Sequence, residues 1–246
     1  MSVNVSNLTP DQLEVAIAEE INSIEGVTAS RPRVSTKFAD VKVTKDRITT
    51  WVEVKQDHNA QLGTPRFYYE NEQWQSTSVG ARLIVNELNK QDSVKEFVEG
   101  ISSLSGIPKE KLKMFSTKGG INKPNSVPFD TFMQYVETLE NQYIMKVPNF
   151  DLGPVIVDLY HNKKEPAYYM QSGDDFYRIG TNNPFNFSTD VPLIEGRGEL
   201  IVRFSPRKTS GWYEFMTELK LPRAEWPSSK YSFLPGTKKL NPFFSF

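Results

Sequence analysis

Cysteine is absent from the 246 residues, and histidine occurs only at His58 and His161. The first absence excludes disulfide frameworks, thiolate zinc sites, iron–sulfur clusters and cysteine nucleophiles. The second excludes a multi-histidine metal site. Long apolar runs are missing too: no stretch approaches the roughly 20 residues a membrane-spanning helix requires. The opening, MSVNVSNLTPDQ, has no basic segment followed by an apolar one, so no secretory leader is expected and a cytoplasmic location is the default. Neither sign of charge dominates, since 29 basic residues against 30 acidic ones leave a net charge of −1. Such a balance does not suit a protein that simply coats nucleic acid. Internal repeats and low-complexity tracts are also lacking.

The length suits one large domain or a core with a smaller second unit, and a chain this long buries roughly 70–75% of its unfolded surface, enough to fold without cross-links. Charge is unevenly spread. Residues 1–30 hold Asp11, Glu14, Glu19, Glu20 and Glu25 and no base, whereas the stretch 108–123 is lysine-rich and 203–239 is rich in lysine and arginine. Local basic stretches in a neutral protein allow a polyanion-binding face.

Thr9-Pro10-Asp11-Gln12 is a helix start, with Thr9 as N-cap, Pro10 in the first turn and Gln12 closing a capping box. Leu13, Ile17, Ile21 and Ile24 form one stripe, and Glu20 falls on it. Residues 39–44 and 48–55 alternate as strands around the turn Lys45-Asp46-Arg47. In the second strand Ile48, Thr50, Val52 and Val54 are expected to face a core, and Trp51, Glu53 and Lys55 the other side. Further expectations are a strand at 66–69, helices near 79–90, 93–104 and 128–145, and strands at 155–160, 167–171, 176–179, 199–204 and 212–221. A boundary is expected between 118 and 127, marked by Lys118-Gly119-Gly120 and Asn122-Lys123-Pro124-Asn125. It divides the chain into residues 1–122, an α/β core, and residues 123–246, a β-rich region for substrate binding or dimerisation.

The chemistry concentrates in Asp40, Glu53 and Lys55. Glu53 and Lys55 are two apart on a strand and project from one face. Asp40 lies on the preceding strand and returns beside that face. Two adjacent carboxylates raise each other's pKa unless a cation neutralises them. Magnesium suits the arrangement, because it takes one or two carboxylates and fills its shell with water and substrate phosphate. Lys55 is then placed to position or deprotonate the attacking water and to offset charge on phosphorus. A rival Glu218-Leu219-Lys220 has no aspartate at a matching distance and reads as a solvated strand face. Asp57 reads as a turn residue, and His58 as a loop histidine.

The stretch of residues 10–70, with an acidic helix, Asp40 on one strand and Glu53-Val54-Lys55 on the next, resembles the PD-(D/E)xK nuclease superfamily. Ala39 stands where that motif has proline. The resemblance implies a restriction-endonuclease-like α/β fold, a mixed sheet flanked by helices in the order α-β-β-β-α-β, with a β-rich C-terminal region beyond it. It further implies magnesium (manganese substituting), DNA as substrate and phosphodiester hydrolysis. Glu20 matches the helix glutamate that many members add to the metal site. Site-specific cleavage of the restriction type is the first subclass to expect, with a homodimer supplying two sites for duplex cutting. Gln61, Arg66, Tyr68, Lys118, Lys123, Arg203, Arg207 and Lys208 are candidate nucleic-acid contacts. The alternatives are a repair, homing or RNA-processing nuclease with the same metal site, or a non-catalytic structural or protein-binding component of a phage or bacterial assembly.

Overall fold

A computed structural model describes residues 8–246 except 33–38, 77, 79, 93–95, 98, 101, 104–120, 123–143, 164, 208–211 and 245–246. In chain order its elements are helix α1 (Pro10–Asn22), strands β1 (Val27–Ser30), β2 (Val41–Lys45), β3 (Ile48–Lys55), β4 (Arg66–Glu70) and β5 (Gln73–Ser76), and helix α2 (Arg82–Asn89). Strands β6 (Ile121–Asn122) and β7 (Ile144–Asp151) follow, then helix α3 (Leu152–His161) and strands β8 (Ala167–Ser172), β9 (Asp175–Arg178), β10 (Arg197–Arg207) and β11 (Trp212–Lys220). The protein is an α/β structure with a mixed sheet and few helices. No described helix is long and apolar enough to cross a membrane.

The chain forms two units. Residues 1–60, 151–197 and 221–246 make the first, and 61–150 with 198–220 the second. The division is therefore not the expected pair of consecutive halves meeting at residue 122. The reason lies in strand pairing: β8 aligns parallel to β3, with Glu53 beside Met170 and Lys55 beside Ser172. A parallel pair needs a crossover, and here α3 belongs to it, with residues 61–150 of the second unit inserted ahead of it in the sequence.

In the first unit the capping box at Thr9 and Gln12 forms as the sequence predicts. The sheet order is β1-β2-β3-β8-β9, and only the β3/β8 pair is parallel. The β2/β3 hairpin turns through Asp46 and Arg47, both at positive φ, as a tight hairpin of matching twist requires. Leu13, Ile17 and Ile21 of α1 pack with Val41, Val43, Val52, Val54, Tyr169 and Phe176 in one apolar core. The opposite face of β3, expected to be open, is also closed: Trp51 and Glu53 are as buried as Val54. An interior strand between two neighbours, crossed over by a helix, has little exposed face left.

Residues 155–160 are helical rather than extended. The β-branched run suggested a strand, but Leu152, Val155, Ile156, Leu159 and Tyr160 are all buried, and that is the spacing of a helix stripe. Tertiary packing overrode local propensity. The expected strands at 167–171, 176–179, 199–204 and 212–221 correspond to β8, β9, β10 and β11. The helix expected near 128–145 lies outside the described residues except at its end, where Ile144 and Met145 begin β7. The helix expected near 93–104 shows as helical backbone at 96–97, 99–100 and 102–103.

The second unit holds a sheet in the order β5-β4-β11-β10-β7, with β6 paired to β11. The long β10/β11 hairpin pairs Glu199 with Lys220 at one end and Arg207 with Trp212 at the other. Glu218, only 16% exposed, ion-pairs on this hairpin with Lys220 and Arg203, which are more open at 43% and 45%.

Candidate active site

Register brings the three expected residues together within the first unit. Val41 faces Val52, so continuing the antiparallel ladder by one residue sets Asp40 opposite Glu53. Asp40 does not extend the ladder through its backbone. Instead its carboxylate Oδ2 accepts a 2.7 Å hydrogen bond from the Val54 N–H, which fixes that carboxylate against β3. Lys55 donates a 2.7 Å hydrogen bond to Glu53 Oε1 along the same strand face. The rim side of the cluster, at Lys55, remains partly open, whereas Glu53 is buried.

Helix α3 and the turn after it complete the cluster. Tyr160 donates from its hydroxyl to Glu53 Oε1 at 3.2 Å. The Lys163 ammonium lies 3.8 Å from the other oxygen, Oε2, and 4.4 Å from the centre of the Tyr160 ring. Tyr160 ends the segment expected as a strand, and Lys163 follows three residues later. The helical stripe at 152, 155, 156, 159 and 160 was the available signal for Tyr160. Lys163 had none, because its partner is 110 residues away in sequence.

The electrostatics separate the two acids. Burial and the neighbouring Glu53 push the Asp40 carboxyl up to about 7, against the opposing pull of the Val54 N–H and Lys55, and Glu14 adds to the rise. Burial acts on Glu53 as well, but Lys55, Lys163 and Tyr160 outweigh it and hold its carboxyl below the usual range. Lys55 stays firmly protonated: burial works against the charge, and Tyr160, Glu53 and Asp40 more than offset it. Burial raises the Tyr160 hydroxyl, and the Glu53 carboxylate raises it further. Glu53 thus has its compensating cations, and Asp40 shares one of them, Lys55. A carboxyl caught between burial and a second carboxylate is the position at which a divalent cation relieves the most repulsion.

Two carboxylates are what magnesium takes from a protein, with water and phosphate oxygens supplying the rest, so the donor set fits that ion. No group of three His, Cys, Asp or Glu side chains close enough to hold a metal occurs among the described residues. Glu20 accordingly does not join Asp40 and Glu53. It is half-buried on α1, and its carboxylate makes no hydrogen bond or ion pair with the described residues. The α1 acid whose charge reaches Asp40 is Glu14, tied to Arg31 by an ion pair. Glu14 and Glu20 each lie three residues from Ile17, one on either side, and helical spacing alone does not choose between them.

The other candidates are dispersed. Asp57 accepts a 2.6 Å hydrogen bond from the Asn59 N–H and closes a turn. His58 is not a free loop residue: its Nε2 meets the Tyr177 hydroxyl at 2.9 Å and Asp175 at 3.1 Å, and its ring packs edge-on against Trp226. Gln61 is exposed and belongs to the second unit. Arg66 and Tyr68 lie on β4 and Arg207 on β10. Arg203 is exposed and 3.8 Å from Glu218. Lys118, Lys123 and Lys208 lie outside the described residues. No family model matches this chain, and neither a curated protein nor a solved structure does.

Proposed function

We propose that this protein is a magnesium-dependent endonuclease that hydrolyses phosphodiester bonds of DNA, with restriction-type, site-specific cleavage as the first subclass. The observation that carries the reading is the closeness of Asp40 to the Glu53–Lys55 pair, with Asp40 pinned by the Val54 N–H, Glu53 bonded to Lys55, and both acting on the Asp40 carboxyl. The element order α1-β1-β2-β3, then α3-β8 with β8 parallel to β3, supports it, since this is the order of the superfamily core that the motif resembles.

Asp40 and Glu53 would hold the ion. When bound, magnesium supplies a polarised phosphoryl oxygen and an activated water. Lys55 acts by charge rather than as a base, because its neighbours keep it protonated, and its ammonium offsets the negative charge that grows on phosphorus. Tyr160 orients the Glu53 carboxylate through its hydroxyl. Burial of Glu53 excludes water from one side of the cluster and strengthens each of these interactions. A homodimer would supply the second site that duplex cleavage needs.

Incubation of supercoiled plasmid with the purified protein, with and without magnesium, tests the reading. Metal-dependent nicking or linearisation by the wild type, lost in Lys55→Ala of unchanged thermal stability, is the expected result. Equal cutting by the two proteins removes the catalytic assignment, and no cutting of plasmid, branched DNA or RNA by the wild type removes the nuclease.

A further inference from the structure

Lys163 is the one member of the cluster that the motif does not supply and that no step above uses. Its ammonium donates no hydrogen bond among the described residues. It is held by two longer-range attractions, 3.8 Å to Glu53 Oε2 and 4.4 Å to the Tyr160 ring. Lys55, by contrast, spends a 2.7 Å hydrogen bond on Glu53 Oε1. Lys163 is also the more open of the two, with 27% of its side chain exposed against 18% for Lys55. An ammonium over an aromatic face, with no hydrogen bond spent on the described residues, is suited to an oxygen-rich anion arriving from solvent.

Glu53 explains where that anion comes. Oε1 is saturated by Lys55 and Tyr160, so Oε2 is the oxygen left for a metal. That is also the oxygen Lys163 faces. A lysine and a divalent ion compete for it, and the same position lies within one ammonium's reach of the phosphate such an ion would carry.

We propose that Lys163 is a phosphate-contacting residue that exchanges partners: it screens Glu53 Oε2 in the metal-free protein and turns to a non-bridging oxygen of the DNA backbone once that carboxylate oxygen ligates magnesium. The proposal rests on the nuclease reading and adds a residue to its substrate contacts. It predicts effects of opposite sign on the two ligands, which a purely structural lysine does not produce.

The test uses Lys163→Met, which removes the charge and keeps the aliphatic stem over Tyr160, with Lys163→Arg as the conservative companion. Titration calorimetry with magnesium chloride alone should show Lys163→Met binding the ion about fivefold more tightly, the worth of one lost competing partly exposed ion pair. Binding of a labelled 30-base-pair duplex in calcium chloride, where cutting is suppressed, should be about tenfold weaker, with the log–log salt slope reduced by about one, as loss of a single phosphate contact requires. Lys163→Arg should keep wild-type DNA affinity. Unchanged duplex affinity and salt slope in Lys163→Met overturn the proposal. So does weaker binding of magnesium and DNA together, which marks a structural residue. If Lys163→Met does not fold, the salt slope of Lys163→Gln decides in the same way. A wild type that cuts DNA while these readouts fail refutes Lys163 alone; a wild type that cuts nothing refutes the nuclease reading beneath it.

Discussion

Ile48, expected in the core, is 42% exposed at the start of β3, but from Thr50 onward both faces of the strand are largely buried, and they are buried by different physics. Thr50, Val52 and Val54 point into an apolar core against α1, where burial itself is the driving force. Trp51, Glu53 and Lys55 point the other way, where a carboxylate and an ammonium are removed from water beside a second carboxylate. Burying charge costs free energy unless it is paired, so this face does not hold the fold together as the apolar face does. Its arrangement is kept at some expense, and sites of that kind cluster where chemistry is done. One strand thus separates an apolar half from a charged half by nothing more than the alternation of its side chains.

Damage to each face in turn should have different consequences. Ile17→Ala, on the fully buried stripe of α1, should lose about 2–5 kcal/mol of unfolding free energy, read from urea denaturation, while the protein that remains folded cuts DNA at the wild-type rate. A comparable loss of specific activity in the folded fraction would show that the faces are not independent. On the charged face, Lys55→Ala should lower the cleavage rate by about 10²–10³-fold, the usual effect of removing one transition-state stabiliser, with little change in the denaturation midpoint. A large drop in stability instead would make Lys55 a structural ion-pair partner.

The two carboxylates of the charged face should respond to pH in opposite directions. Asp40 titrates at about 7 in the folded protein against an ordinary carboxyl near 4 when unfolded, so between those values the folded state binds more protons. Without metal, its contribution should make stability fall as pH rises from about 4 to about 7 and level off above. Glu53 moves the opposite way, with its folded pKa lowered, so its contribution is present above its unfolded pKa and is lost only at lower pH. Magnesium binding should strengthen as pH rises through about 7, because proton and ion compete for Asp40. Asp40→Asn should abolish that pH dependence and weaken magnesium binding while matching or exceeding wild-type stability at pH 8. Thermal melts and calorimetry over pH 5 to 8 check both; a wild-type melting profile flat across that range contradicts the assignment to Asp40.

The smallest effect separates positioning from pairing. Tyr160→Phe removes the buried hydrogen bond to Glu53, a loss of about 1 kcal/mol in stability. Its cleavage rate should fall several-fold with KM unchanged, since the hydroxyl orients a ligand and does not touch substrate. A raised KM with unchanged kcat would move Tyr160 from orientation to substrate contact.

Local physics made much of the first 55 residues legible. The capping box at Thr9 and Gln12, the stripe on α1, the turn at Asp46-Arg47 and the alternation of β3 are all carried by neighbours in sequence, and the hairpin register that sets Asp40 beside Glu53 follows from them. The tertiary structure alone decided the rest. It paired β3 with a strand more than 100 residues later, turned residues 152–161 into a helix, and brought Tyr160 and Lys163 to Glu53. It also gave Asp40 the influence of Glu14 where Glu20 was expected. Side-chain alternation and helical spacing are short-range periodicities, whereas parallel pairing and the partnering of buried charges depend on which distant segment closes over them, and a single sequence does not encode that choice in any local window.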